Sequence, residues 1–326
     1  MKKDITKIGV LTSGGDAPGM NAAIRAIVRC AVYRGLEVTG IRRGYSGLIN
    51  REFEKFDRRS VANIIQRGGT MLETSRCNEM FSVEGRKKAI DALKDEGIDG
   101  CIIIGGDGSF RGAQALTEES DIAFMGVPGT IDNDVWGSDY TIGFNTAVNT
   151  ALDAIDRIRD TASAFERIFF VEVMGKKSGF IALSVGLAGG AEQIIIPEIA
   201  TDIEDLCRNL QESFKRGKMS SIIVVAEGNT LEGTINIAKY VEMRLKVESR
   251  LCTLGHVQRG GSPSAADRIL ASILGIAAVE GLLDGKEGTA VGQVKGEVVY
   301  TPFKDTWEKK KSIDEHFLKI IPVLSI

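Results

Sequence analysis

Short apolar runs that hardly alternate recur along this chain, and several of them stop at a glycine-rich turn. The runs are Ile8–Leu11, Val38–Ile41, Cys101–Ile104, Phe124–Val127, Ile168–Val173, Ile194–Ile196, Ile222–Val225 and Leu251–Leu254. Rich in isoleucine and valine, they have the pattern of strands covered on both faces. Spacings of three or four between the runs mark helices. Val148, Leu152, Ile155 and Ile158 share one face, with Asp153, Asp156, Arg157 and Arg159 around it. Strand–helix–strand alternation calls for parallel sheets with helices on both sides, so the expected fold class is α/β. Ligands in such sheets bind beyond the carboxyl ends of the strands, where the glycine turns lie.

The 326 residues give room for two domains, although no linker marks the cut. With 43% hydrophobic and 26% charged residues, both can carry a real core. The 38 glycines cluster in short patches, as tight turns and close backbone–ligand contacts require. A net charge of −3, with no basic run before Lys309-Lys310-Lys311, argues against nucleic acid as a partner. No stretch approaches the length of a membrane span, and Met1-Lys2-Lys3-Asp4 does not lead into the apolar core of a signal peptide. Cys30, Cys77, Cys101, Cys207 and Cys252 are scattered, which fits a reduced, cytoplasmic setting and no structural zinc.

Three turns carry the chemistry. The first, Thr12-Ser13-Gly14-Gly15-Asp16-Ala17-Pro18-Gly19-Met20-Asn21, joins a strand to a helix running through Arg34. Free backbone N–H groups at a helix N-terminus make an anion site, although Met20-Asn21 stands where a Walker A turn needs Lys-Ser/Thr. A tight turn without a ligand explains this stretch equally well. The second, Gly105-Gly106-Asp107-Gly108-Ser109-Phe110, lets a phosphate chain approach closely and offers Asp107 as a hard oxygen ligand for magnesium, with Ser109 placed to N-cap the next helix. The third, Val127-Pro128-Gly129-Thr130-Ile131-Asp132-Asn133-Asp134, carries two carboxylates. One can accept the proton of an attacking hydroxyl while the other supports the metal through water or holds the loop.

These runs, with Val171-Glu172-Val173-Met174-Gly175, Ala226-Glu227-Gly228 and Leu254-Gly255-His256-Val257-Gln258-Arg259-Gly260-Gly261-Ser262-Pro263, resemble those of bacterial ATP-dependent 6-phosphofructokinases over essentially the whole chain. The resemblance implies two similar layered domains, each a mainly parallel sheet with helices on both faces. Residues 1–143 and about 259–307 would form the larger, ATP-binding domain, and about 144–258 with 308–326 the smaller, sugar-phosphate-binding one. It implies that Gly15, Arg76, Cys77, Gly106, Asp107, Gly108 and Ser109 surround ATP, with Asp107 on Mg2+. Asp132 would be the base for the sugar 1-hydroxyl, with Thr130, Ile131 and Asp134 beside it. Arg76 offers the forked donors of a clamp on the moving phosphoryl group. Met174, Gly175 and Glu227 would line fructose 6-phosphate, and His256, Val257, Gln258 and Arg259 would meet its 6-phosphate. Arg167 and Arg250 would reach that site from a neighbouring subunit of a homotetramer.

Arg25 and Arg29 repel one another at i and i+4 unless an anion lies between them, and from sequence alone such pairs are usually a solvated face. The resemblance implies that they join Arg58, Arg159, Gly190, Glu192, Arg216 and Lys218 in an allosteric site for ADP or phosphoenolpyruvate, with Glu192 touching ligand or metal. Pyrophosphate-using relatives carry Asp at the position of Gly108 and Lys at that of Gly129, so both glycines point to ATP. The family usually carries arginine where Lys176 stands, and lysine keeps the charge but loses the planar fork. Either Lys176 serves with an altered rate or the chain is a weakly active or regulatory relative. The survival of Asp107, Asp132 and Arg76 favours the first. A nucleotide sensor without turnover, and a kinase of the Gly-Gly-Asp-Gly type acting on dinucleotides or lipids, explain fewer of these residues.

Overall fold

All eight apolar runs overlap strands in the computed structural model, which describes residues 4–162, 167–175, 177–228 and 233–324. In chain order the elements are β1 (Lys7–Thr12), α1 (Met20–Tyr33), β2 (Glu37–Ile41), α2 (Gly44–Ile49), β3 (Phe53–Phe56), α3 (Val83–Asp95), β4 (Gly100–Gly105), α4 (Asp107–Glu119), β5 (Ala123–Thr130), β6 (Ile142–Gly143), α5 (Phe144–Ala162) and β7 (Arg167–Val173). They continue with α6 (Phe180–Ala188), β8 (Gln193–Ile195), α7 (Ile203–Lys215), β9 (Ser220–Ala226), α8 (Gly233–Leu245), β10 (Ser249–Thr253), α9 (Ala265–Leu283), β11 (Thr289–Val294), β12 (Glu297–Pro302), α10 (Asp305–Glu308) and α11 (Glu315–Leu324). The chain forms two units: residues up to Thr146 with Arg259–Lys311, and Ala147–Gln258 with the residues from Ser312 onward.

The first unit holds one sheet in the order β12-β11-β5-β4-β1-β2-β3, with β6 paired to β5. Its interior pairings are parallel, and only the edge strands β3 and β12 run antiparallel. One face buries Leu11, Ile41, Leu48, Leu93, Ile103, Phe110, Phe124 and Phe303. Full burial of each such side chain contributes about 2 kcal/mol. On α9, Gly275 lets that helix approach α1 closely, because a Cβ there would lie 2.8 Å from the Ala26 methyl. From β1 the chain order runs outward in both directions, to β2 and β3 on one side and to β4 and β5 on the other. The carboxyl ends of β1 and β4 therefore flank the switch point at which such sheets bind ligands.

The second unit is a parallel sheet in the order β10-β7-β9-β8. Its core includes Ile168, Phe170, Leu206, Leu210, Ile223, Val225, Ile237 and Val241. Asp202 caps α7, its Oδ1 accepting from the amides of Glu204 (2.8 Å) and Asp205 (3.2 Å).

Several sequence expectations need correction. Strands β3, β6, β11 and β12 are not expected from the sequence: β3 and β12 are half-exposed edge strands, β6 has two residues, and β11, although interior, offers only Ala290-Val291 as an apolar run. The β11–β12 hairpin turns through Lys295 and Gly296, both at positive φ as a type I′ turn requires. Ser109 is not an N-cap. The helix begins two residues earlier, at Asp107, with Gly106 at the cap in extended conformation. The first helix ends at Tyr33, with Arg34 as its C-cap.

Candidate active site

The three glycine turns meet at the carboxyl ends of β1, β4 and β5, which are adjacent in the sheet. The Ser13 amide donates to the Ile104 carbonyl (2.9 Å), tying the first turn to the second. Ser109 is buried on the inner side, so that a Cβ on Gly14 would lie 3.4 Å from its Oγ. A Cβ on Gly106 would lie 3.7 Å from Thr130 Cβ, linking the second turn to the third. Gly108, by contrast, faces open space: nothing lies within 4 Å of where its Cβ would stand. The N-terminus of α4, with its partial positive charge, opens onto that space.

Asn21 explains the first turn's departure from Walker A. Its Oδ1 accepts from the Met71 amide (2.7 Å), and its Nδ2 donates to the carbonyls of Arg67 (3.1 Å) and Gly68 (3.2 Å). The residue thus anchors the segment that delivers Arg76 and Cys77. Thr74 Oγ1 adds a bond to the Gly14 carbonyl (2.7 Å). The Arg76 side chain is exposed, while Cys77 is half-buried against the core. A Cβ on Gly15 would overlap the Arg259 guanidinium, which would have to swing aside to admit a side chain. Arg259 thereby lies against the first turn, and its buried Nε has no hydrogen-bond partner. An unsatisfied buried donor of that kind suits an anionic oxygen.

Asp107 and Asp132 both act electrostatically on Asp134. Burial first, and then the charges of Asp132 and Asp107, raise Asp134 to about 6 against the opposing charge of Lys311. Asp107 Oδ1 accepts from the Gly108 amide (2.6 Å), and its Oδ2 lies 3.8 Å from Arg111 Nε. Crowded anions of this kind attract a cation. Among the described residues, no cluster of three or more His, Cys, Asp or Glu side chains is arranged to hold a metal ion. The donor set suits magnesium, which takes one or two carboxylates and completes its shell with water and substrate phosphates.

The third turn is held by its own network. Asp132 N donates to Thr130 Oγ1 (3.3 Å), and Thr141 Oγ1 donates to the Thr130 carbonyl (2.6 Å). Asn133 sits between the two aspartates in left-handed conformation (φ 56°) and is almost fully buried. Its Oδ1 accepts from the Thr141 amide (3.0 Å) and from Lys311 Nζ (3.0 Å). The sequence reading gave no role to Asn21, Asn133 or Lys311. Asparagine within a strand-end motif is the signal that could have found the first two.

In the second unit, Met174-Gly175, Glu227 and His256 follow the carboxyl ends of β7, β9 and β10, three neighbouring strands. Met174 N donates to Gln258 Oε1 (2.8 Å), and Glu227 N donates to the Val173 carbonyl (2.8 Å). Gly175 has φ 149°, and a Cβ there would overlap the Ser178 carbonyl, so no other residue fits. Gln258 is buried with an unpartnered Nε2, whereas His256 and Val257 are exposed. Arg167 and Arg250 lie at the opposite, amino end of this sheet, both paired with Glu248. The seven residues of β7, at about 3.3 Å each, separate the two ends by roughly 20 Å. Lys176 lies outside the described residues.

The remaining cationic positions fall in both units. In the first, burial and then the charge of Arg29 lower the pKa of Arg25, while Arg58 is exposed. In the second, Arg159 Nη2 donates to the carbonyls of Gly189 (2.5 Å) and Gly190 (2.8 Å). Glu192 is almost fully buried. Lys218 pairs with its Oε1 (2.7 Å), and the Ile222 amide donates to its Oε2, so both oxygens are engaged within the protein. Arg216 lies 3.6 Å from Glu212.

The family model described as Phosphofructokinase matches residues 7–282. An ATP-dependent 6-phosphofructokinase from Thermus thermophilus is 58% identical over 98% of this chain and 99% of its own length. One from Halothermothrix orenii is 51% identical over the same shares. Among solved structures, a phosphofructokinase from Saccharomyces cerevisiae superposes with TM-score 0.88 at 33% identity, covering 98% of this chain. The chain spans about half (48%) of the yeast one.

Proposed function

The chain belongs to the phosphofructokinase family, and we propose that it transfers the γ-phosphoryl group of ATP to the 1-hydroxyl of fructose 6-phosphate, giving ADP and fructose 1,6-bisphosphate. The observation that carries this reading is the meeting of three glycine-lined strand ends around Asp107, Asp132 and Asp134.

Phosphoryl transfer asks the protein for positioning and charge stabilisation rather than covalent chemistry. Asp132 orients the 1-hydroxyl and accepts its proton as the oxygen attacks phosphorus. Backbone N–H groups of the first two turns and the N-terminus of α4 hold the phosphate chain. Arg76 meets the moving phosphoryl group with its planar fork, and Lys176 adds positive charge where the family usually carries arginine. Asp107 would hold magnesium, which when bound neutralises charge on the phosphate oxygens. Thr130 and Ile131 support the reacting region. Met174, Gly175 and Glu227 line the sugar, while His256, Val257, Gln258 and Arg259 receive its 6-phosphate. Gly108 leaves room for the α-phosphate of a nucleotide, which supports ATP over pyrophosphate as donor.

Arg167 and Arg250 serve the sugar phosphate of a neighbouring copy within a homotetramer. Arg25, Arg29, Arg58, Arg159, Gly190, Arg216 and Lys218 bind ADP or phosphoenolpyruvate as effector, with Glu192 bracing Lys218. No described helix is long and apolar enough to cross a membrane, and the five cysteines are free thiols, which supports a cytoplasmic setting. The test is product formation by purified protein given fructose 6-phosphate with magnesium and either ATP or pyrophosphate. Turnover with ATP alone is expected, and turnover with pyrophosphate alone overturns the donor assignment. Cooperativity toward fructose 6-phosphate that is indifferent to ADP and phosphoenolpyruvate sinks the effector site.

A further inference from the structure

The loop between Asp132 and Thr141 is pinned at several points. Asp139 N donates to the Gln293 carbonyl (2.8 Å), and Lys295 N donates to Asp139 Oδ2 (2.6 Å). Ser138 Oγ accepts from Gln293 N (3.1 Å) and donates to the Tyr140 carbonyl (2.6 Å). These bonds fix the far half of the loop to the β11–β12 hairpin. The near half, with the two aspartates, depends on Asn133, whose left-handed backbone costs free energy in any residue but glycine. Holding that conformation requires an oriented side chain. Asn133 Nδ2 donates to the Asp139 carbonyl (3.3 Å), and its Oδ1 accepts from the Thr141 amide.

Lys311 completes this arrangement from a distant part of the sequence. Its Nζ donates to Asn133 Oδ1 (3.0 Å) and to the Asp139 carbonyl (2.6 Å), bridging the near and far halves of the loop. We propose that Lys311 is a positioning residue for phosphoryl transfer, fixing Asn133 so that Asp132 on one side and Asp134 on the other keep their working orientation. Burial pushes the ammonium down to about 8, while the carboxylates of Asp139 and Asp134 favour its charge. A buried cation is retained where polar partners hold it. In the sequence the residue ends the run Lys309-Lys310-Lys311, which by itself reads as a solvated stretch. Lys309 fits that reading, pairing with Asp305 (2.8 Å) on the exposed surface.

This inference rests on Asp132 being the base, so the experiment separates the two. Lys311→Met keeps the stem and removes the donors. A loop released by a fraction of an ångström lowers the rate of the chemical step, and we expect kcat to fall by about tenfold or more. KM for ATP and for fructose 6-phosphate should change by less than about threefold, since the groups that bind them are untouched. Asn133→Ala removes the acceptor together with its bonds to Thr141 and Asp139, and the double variant should be no more than about twofold slower than the slower single one, because the Lys311–Asn133 bond is already lost in either single variant. Lys311→Met with kcat within about twofold of the parent, or losses that multiply in the double variant, overturns the proposal. Should Lys311→Met fail to fold, Asn133→Ala decides: unchanged kcat overturns the proposal, and a tenfold loss with intact circular dichroism supports it. Asp132→Ala is measured alongside, with an expected loss of at least about 100-fold. Near-normal turnover there removes Asp132 as base, whereas a slow Asp132→Ala beside a fast Lys311→Met removes Lys311 alone.

Discussion

Asp134 shows how one side chain can be placed against its own stability. Burial first, and then the charges of Asp132 and Asp107, bring its carboxyl up to about 6 in the free protein. The folded state therefore binds a proton that the unfolded chain has already released at the same pH. Stability contributed by this group is present at low pH and is lost as pH rises through about 6. Asp134→Asn cannot ionise. In nucleotide-free protein, the stability of the variant relative to the parent should rise between pH 4 and pH 7, by at most about 3 kcal/mol at 1.36 kcal/mol per pKa unit. Urea midpoints at several pH values read this directly, and a difference that stays flat across the window sinks it. Turnover of the variant should fall, the usual trade at a strained site. Asp107 and Asp132 could be picked out from the sequence because each sits among glycines at a strand end. Lys311 could not, since its role depends on a fold that returns it 178 residues back to Asn133.

Between the elements, legibility followed burial. The central strands β1, β4 and β5, and β7 and β9 of the second sheet, are covered on both faces and show up as continuous apolar runs. β12, EVVYTP, is half-exposed at an edge, and β6 has two residues, too few for any periodicity. The start of α4 was misplaced because a glycine cap leaves no side-chain signal, whereas a serine two residues on offers a false one. Asp267 is a further element-level device with no motif. It is almost fully buried in the first turn of α9, and its carboxylate accepts from the amides of Gly143 (2.9 Å) and Thr146 (2.7 Å) and from Thr146 Oγ1. Burial raises its pKa while these donors oppose the rise. The bonds join α9 to the start of α5, just beyond the β6 segment that pairs with Thr130. Asp267→Asn turns an –NH2 toward donors and should cost about 2–4 kcal/mol, the sum of one or two charge-assisted bonds. An unchanged urea midpoint would refute that role.

On the scale of the whole molecule, the decisive fact is that the residues proposed for the sugar phosphate stand at both ends of one sheet. His256, Met174 and Glu227 follow the carboxyl ends of β10, β7 and β9, while Arg167 and Arg250 hold Glu248 at the amino end, roughly 20 Å away by strand rise. No side chain spans that distance, so both sets can serve one sugar phosphate only if a second copy brings its amino end to the first copy's carboxyl end. In a two-fold pair each copy then gives arginines to its partner and receives them in return. The consequence can be measured with two crippled variants, His256→Ala and Arg250→Ala, each expected to bind fructose 6-phosphate poorly. In a hybrid pair, one site combines both defects and the other combines none. Random mixing puts half of the protomers in hybrid pairs, and half of those sites are intact, so about a quarter of parental activity should return on co-expression or subunit exchange. If every site were built from one copy, mixing would restore nothing, and activity would stay at the average of the two variants. That result would place Arg250 outside the sugar-phosphate site.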